Sequence, residues 1–265
     1  MKLKTMTMFT LLLSVACVLL RTATLLYATE STTGFFAERL IPVGVFLSAM
    51  IIVLAVVGLV FGFSVKEKAT ENFSLSSLSG IAAVVLGVML IAYSLGFGSH
   101  ACSILWQKVM EVLTGFISGV WFIIFGLSPF TKIKLPLITA SLPCIHWIFR
   151  LVVVFGTFST NALVAEHIFT LSALCFAVVY MLFFGRVISK SATKRSLLFF
   201  FPITAVTFIL NATSSISRFI VTLAGKAEKI HGEVPLDLVG IAFCVFVILI
   251  VFDICKEVKE SEENQ

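Results

Sequence analysis

The sequence predicts an all-α, polytopic bundle of about eight transmembrane helices, and three observations carry that prediction. Hydrophobic residues make up 59% of the 265 and charged residues only 12%, where a soluble domain has about a quarter charged. The mean hydropathy of +1.11 fits hydrocarbon better than water. The apolar residues come in runs of about 20, the length that crosses a bilayer as a helix. Lysine and arginine gather in alternate gaps between those runs, as they do when alternate loops face the cytoplasm.

The spans in order are 6–28, 41–64, 78–98, 109–130, 136–158, 164–187, 197–220 and 235–254. The first follows MKLK and could be taken for a cleaved leader. Arg21 interrupts its apolar run and no good small-x-small site follows, so a retained helix is expected. The gaps are short, which makes each helix antiparallel to the next. The stretch 215–235 is open: it either extends the seventh helix or lies along the interface. The tail 256–265 is charged and expected to fray.

Direction follows from the basic residues. With Lys2 and Lys4 inside, the inner loops carry Lys66, Lys68, Lys132, Lys134, Arg186, Lys190, Lys194, Arg195, Lys256 and Lys259 as well. The outer loops carry Arg39, Lys108, Lys226 and Lys229. Twelve against four is a strong bias, and adding or removing one central span destroys it. Both termini are therefore expected in the cytoplasm. Compact loops without targeting extensions suggest a bacterial plasma membrane.

The two halves look alike where charges occur. Arg21 precedes Ser31-Thr32 and Ala37-Glu38-Arg39, while Arg150 precedes Ser159-Thr160 and Ala165-Glu166-His167. Lys66–Thr70 aligns with Ser189–Thr193, and Glu111 with Asp237. Order is kept throughout. The reading is a parallel 4+4 repeat, with units 1–132 and 133–255 and a short cytoplasmic tail at 256–265, of the kind some transporters use.

Several functions lack support. The net charge of +5 is spread over loops with no basic stripe, so nucleic acid is not an expected partner; the lipid bilayer is, with other membrane subunits as further candidates. The six cysteines form no CxxC pair. No Walker A, HExxH or GxSxG occurs, and Asp appears only at 237 and 253. His100, Cys102, His167 and His231 share the outer side with Glu166, but their spacing matches no metal motif. Neither metal nor cofactor is expected, and an enzyme is the third choice of class.

The candidate residues are the intramembrane charges. Arg21 and Arg150 cost about 2.5–3.5 kcal/mol each at mid-helix, so they should face protein or water. Each either ties helices together or, with its planar fork of donors, binds an anionic group. Glu38, Glu166, Glu111 and Asp237 stand at outer helix starts, where acids complement the dipole or pair with the arginines. Asn211 with Thr213, Ser214 and Ser215 is a polar patch inside the seventh span. Arg218 looks interfacial. His146 lies one turn from Arg150. GxxxG pairs at 58–62 and 115–119 suggest close helix packing rather than dimerisation. Candidate substrate-binding residues are thus Arg21, Arg150, Glu38, Glu166 and Asn211. The expected function is a small permease-like transporter for a polar or anionic solute. The alternative is a non-catalytic membrane partner: a sensor, assembly factor or complex subunit.

Overall fold

The fold is taken from a computed structural model that describes residues 3–31, 33–65, 74–97, 105–131, 137–158, 165–189, 191, 194–230 and 236–263. Eight helices follow in order: α1 Leu3–Ala23, α2 Ile41–Phe63, α3 Ser77–Ala92, α4 Leu105–Leu127, α5 Leu142–Phe158, α6 Ala165–Ile188, α7 Lys194–Leu223 and α8 Leu238–Glu263. Among the described residues seven helices are long and apolar enough to cross a bilayer, and α8 adds a shorter apolar stretch, Leu238–Ile254. The only β pairing among the described residues is an isolated bridge between Thr29 and Phe36. The predicted multi-pass helical bundle is therefore the observed architecture.

Two boundaries differ from expectation. The stretch left open after residue 215 is helix as far as Leu223. The chain then turns at Gly225, whose φ of +71° suits a residue without a Cβ. The charged tail does not fray at Lys256: α8 runs on as helix to Glu263.

Helix ends are built locally. Ser76 caps α3 by accepting the Ser79 amide at 3.3 Å, and Pro42 starts α2 where an amide would have no partner anyway. The first span ends in a π-helical turn, Thr24–Ala28. The hairpin to α2 then closes through the Thr29–Phe36 bridge and Gly34 at φ +72°.

Packing joins α3, α4, α5, α6, α7 and α8 into a ring, each helix against the next and α8 back against α3. Aromatic side chains fill its inside. Phe122 of α4 meets Phe246 of α8 edge-on at 5.4 Å, and Phe184 of α6 meets Phe246 at 5.3 Å. Tyr180 and Phe243 lie 5.8 Å apart across the α6–α8 seam. Helices α1 and α2 sit outside this ring, packed on α7.

Glycines set the closest approaches. On α3 and α4, Gly80 faces the Gly126 carbonyl and Gly87 faces the Gly119 carbonyl; a Cβ added at Gly87 would sit 2.5 Å from that oxygen. Gly62 of α2 lies on the backbone of Pro202 in α7. The small residues thus serve internal packing, as in other membrane helix pairs.

Under a four-helix shift the contacts repeat in part: α1–α2 matches α5–α6 and α3–α4 matches α7–α8. Helix α6 packs along α7, but α2 and α3 have no comparable seam, and α1 packs on α7 with no matching α5–α3 seam. The proposed 4+4 duplication is thus not established by the packing of the described residues. Ser159, Thr160 and the lysine-rich segments 66–68 and 132–134 lie outside those residues.

Candidate functional site

The polar side chains gather in one half of the bundle, where α1, α3, α5 and α7 end and α2, α4, α6 and α8 begin. Helical spacing creates the arrangement. On α5, His146 and Arg150 are four residues apart and share a face. On α4, Glu111, Thr114 and Gly115 make the facing surface. On α7, Asn211, Ser214, Ser215 and Arg218 form one stripe.

Arg150 is 6% exposed and its guanidinium carbon lies 4.7 Å from the centre of the Tyr93 ring. The Tyr93 hydroxyl in turn faces Glu111 Oε1 at 3.5 Å. Glu111 is also buried and interacts electrostatically with Arg150. His146 Nδ1 is 3.3 Å from Thr114 Oγ1, so this imidazole joins α5 to α4. Gly115 leaves room for it: a Cβ there would sit 3.1 Å from His146 Cε1.

A second group adjoins the first. The half-buried Asp237 accepts Ser215 Oγ at 2.6 Å and the Gly240 amide at 2.9 Å. The second contact caps its own helix, α8, as the dipole argument predicts. Burial acts to raise the Asp237 carboxyl. The charges of Arg150 and Arg218, with both hydrogen bonds, outweigh it and hold the group below its ordinary 3.8.

Arg218, expected at the outer end of the seventh span, is enclosed by protein. It is 2% exposed and donates to Thr170 Oγ1 of α6 at 2.6 Å. Asn211 is 5% exposed and gives its amide protons to the Ala173 carbonyl at 3.2 Å and the Thr207 carbonyl at 2.8 Å. It therefore ties α7 to α6.

Between these residues lies a cavity of about 20 Å³, lined by Trp147, Arg150, Asn211, Ser214, Arg218 and Asp237 among others. That is room for about one water. A larger groove of about 200 Å³ runs between α2 and α6 over Val206 and Leu210. Its walls are almost wholly apolar, so it suits a lipid chain rather than a polar solute.

The structure brings Arg150 and Asn211 to one cavity, but not the whole set read from the sequence. Arg21 is buried at 1% exposure in a different place, with its guanidinium carbon 4.5 Å from the Phe169 ring centre. Phe169 belongs to the smaller apolar cluster shared by α1, α2, α6 and α7, and Arg21 does not line the cavity. Glu38 sits exposed on the turn Glu38–Leu40. Glu166 begins α6, and its side chain lies outside the described residues. So do His100, Cys102 and His231; among the described residues no three metal-ligating side chains converge.

The reading of the sequence missed Trp147 and Thr170, and it did not group Arg218 with Asn211. One signal was available for Arg218: it lies seven residues after Asn211, on the same helical face. Comparison with known proteins returns no family model, no curated protein and no solved structure that matches the chain.

Proposed function

We propose that the chain is a small permease-like protein for a polar or anionic solute. The carrying observation is the cavity of Arg150, Asn211, Arg218 and Asp237 inside the ring of α3 to α8. Charges inside a membrane are costly and usually mark a pathway or a binding centre. Aromatic packing of Tyr180, Phe184, Phe243 and Phe246 closes the ring away from the polar half. On this reading the conformation is occluded, and transport requires the aromatic seam to open. On the same reading the lysine asymmetry supports cytoplasmic termini and a cavity turned toward the outside, and the compact loops suit a bacterial plasma membrane. Arg21 then has a supporting role, holding α1 to α6.

Proteoliposomes test the proposal. Purified chain should take up at least one of radiolabelled chloride, phosphate, acetate or lactate above empty vesicles. Arg150→Lys keeps the buried charge but not the planar fork, and should strongly reduce that uptake while the protein stays folded. In a background with its native cysteines replaced, Ser214→Cys should react with an anionic membrane-impermeant thiosulfonate. No uptake together with no labelling from either side would sink the transport reading.

One observation favours the alternative, a non-catalytic membrane partner: the cavity holds about one water and leads nowhere through the aromatic packing. A folded, monodisperse protein that fails both assays supports it.

A further inference from the structure

We propose that the slot between α2 and α6 binds one acyl chain of a membrane phospholipid and holds it as a fixed part of the fold. The inference uses a different part of the molecule from the transport reading and does not rest on it.

The slot follows from how three helices meet. Helices α2 and α6 each pack along α7, but they share no comparable seam with each other. Between them Val206 and Leu210 of α7 floor the groove of about 200 Å³. Its rims are open to the outside: Ile52 and Val56 of α2 and Ile168 of α6 are each more than half exposed.

Depth decides what meets that opening. Ile52 is the middle residue of α2, and Val206 and Leu210 flank the middle of α7. A bilayer around this bundle offers only hydrocarbon at that height. Along α6 the slot runs from Ile168 to Phe176, about 12 Å at 1.5 Å per residue. That is close to the ~15 Å of hydrocarbon in one leaflet, so the slot has the length of a single chain.

The wall agrees. Ser172 is its one polar residue among the described residues. A water there lacks the two to four partners it needs, whereas an apolar cavity of about 150 Å³ already takes up a benzene ring. A partner helix is a poorer fit. Membrane helices associate through small residues that let backbones approach. Those of α2 are already engaged: Gly44 lies on the Phe36 ring, Gly58 on Ile209 and Gly62 on Pro202. The outward rims are branched, and they suit a flexible chain.

The bound chain also backs the α6–α7 seam. Phe176 lines the slot and gives its carbonyl to Thr207 at 3.0 Å. Leu210 lines it too, and its neighbour Asn211 bonds the Ala173 carbonyl. A filled slot packs against these links, and an empty one leaves a void beside them.

Native mass spectrometry and thermal unfolding of the purified full chain in detergent test the site. Wild type should retain one phospholipid through extraction. Exhaustive delipidation should lower its Tm, and added dioleoylphosphatidylcholine should restore it saturably, as a ligand of the folded state does. Ser172→Phe places a ring in the slot from α6. It should weaken lipid retention about tenfold, raise Tm in the delipidated state and blunt the response to added lipid. A gain of lipid-free Tm cannot come from misfolding. Ser172→Leu should act the same way more weakly. Val179→Phe puts the same ring on the exposed face of α6, outside the slot, and should behave as wild type. Retention and lipid response that Ser172→Phe leaves unchanged overturn the proposal, because the lipid is then only part of the general annulus. A wild type that retains no lipid and ignores added lipid overturns it as well. So does disulfide cross-linking of Val56→Cys between two chains in membranes, in a background with its native cysteines replaced, which gives the slot to a second copy.

Discussion

Helices α2 and α7 are packed against each other and are built on opposite rules. Helix α2 is the most apolar span, yet only 22% of its window is buried. Helix α7 carries Thr204, Thr207, Asn211, Thr213, Ser214, Ser215, Ser217 and Arg218, and 83% of its window is buried. A soluble protein would place them the other way round. In a bilayer, lipid is as apolar as leucine, so hydrophobicity does not pull a helix inward. Polar groups do the pulling, because hydrocarbon offers them no partner. Helix α7 satisfies many of its hydroxyls within itself: Thr204 donates to the Phe200 carbonyl at 2.7 Å and Thr213 to the Ile209 carbonyl at 2.6 Å. Others reach across, such as Thr207 to the Phe176 carbonyl at 3.0 Å. Helix α2 touches its neighbours through a stripe of Gly44, Ile51, Ala55, Gly58 and Gly62, and shows the rest of its surface to lipid.

Four substitutions and titrations probe this contrast. The largest effect belongs to the buried charges. Arg150→Leu leaves Glu111 and Asp237 without their common counter-charge, and should cost about 3–5 kcal/mol, read as a loss of folded protein in a detergent thermal melt. Next is the seam itself. Gly62→Leu drives a side chain into the Pro202 backbone and should cost about 1–3 kcal/mol, whereas Val60→Ala, on the 58% exposed face of the same helix, should stay within about 0.5 kcal/mol. Equal effects at the two positions would mean that α2 has another partner in the membrane. Asn211→Leu is smaller: it removes the amide link to the Ala173 carbonyl and should cost about 0.6–1.7 kcal/mol, the range for interhelical hydrogen bonds in lipid. The smallest is a pH effect. Because Asp237 is held below its ordinary 3.8, its contribution is complete above that value and lost as pH falls through the folded-state value. The Tm gap between wild type and Asp237→Asn should therefore be constant well above 3.8 and shrink only as pH falls below it.

The spans were legible in the sequence because each is a run of one solvent's residues. Which charges share a place was not. Arg21 and Arg150 occupy comparable positions in their own helices, and the resemblance suggests one site. Their neighbours depend on how whole helices are arranged, and that is decided by glycine seams such as Gly80 with Gly126 and Gly87 with Gly119. A single span does not disclose its partner in such a seam. Asn211 was legible, since an amide at mid-span must bond something. That Arg218 joins Asn211 in one cavity was not read, because its place near the end of the span drew attention to depth rather than to the shared helical face. Trp147 gave no signal: an indole in an apolar run looks like any other ring.

The cap on α3 has a consequence for biogenesis. Its first amide group outside the helix, that of Ser76, donates to Asp253 near the end of the apolar part of α8, at 3.0 Å and 177 residues later in the chain. A ribosome delivers α3 to the membrane long before that carboxylate exists. The six-helix ring therefore cannot be latched as the chain emerges. It closes only when the last span arrives: a nascent chain stopped before α8 has an open ring, a third helix capped by Ser76 alone, and a Ser76 amide without its Asp253 acceptor.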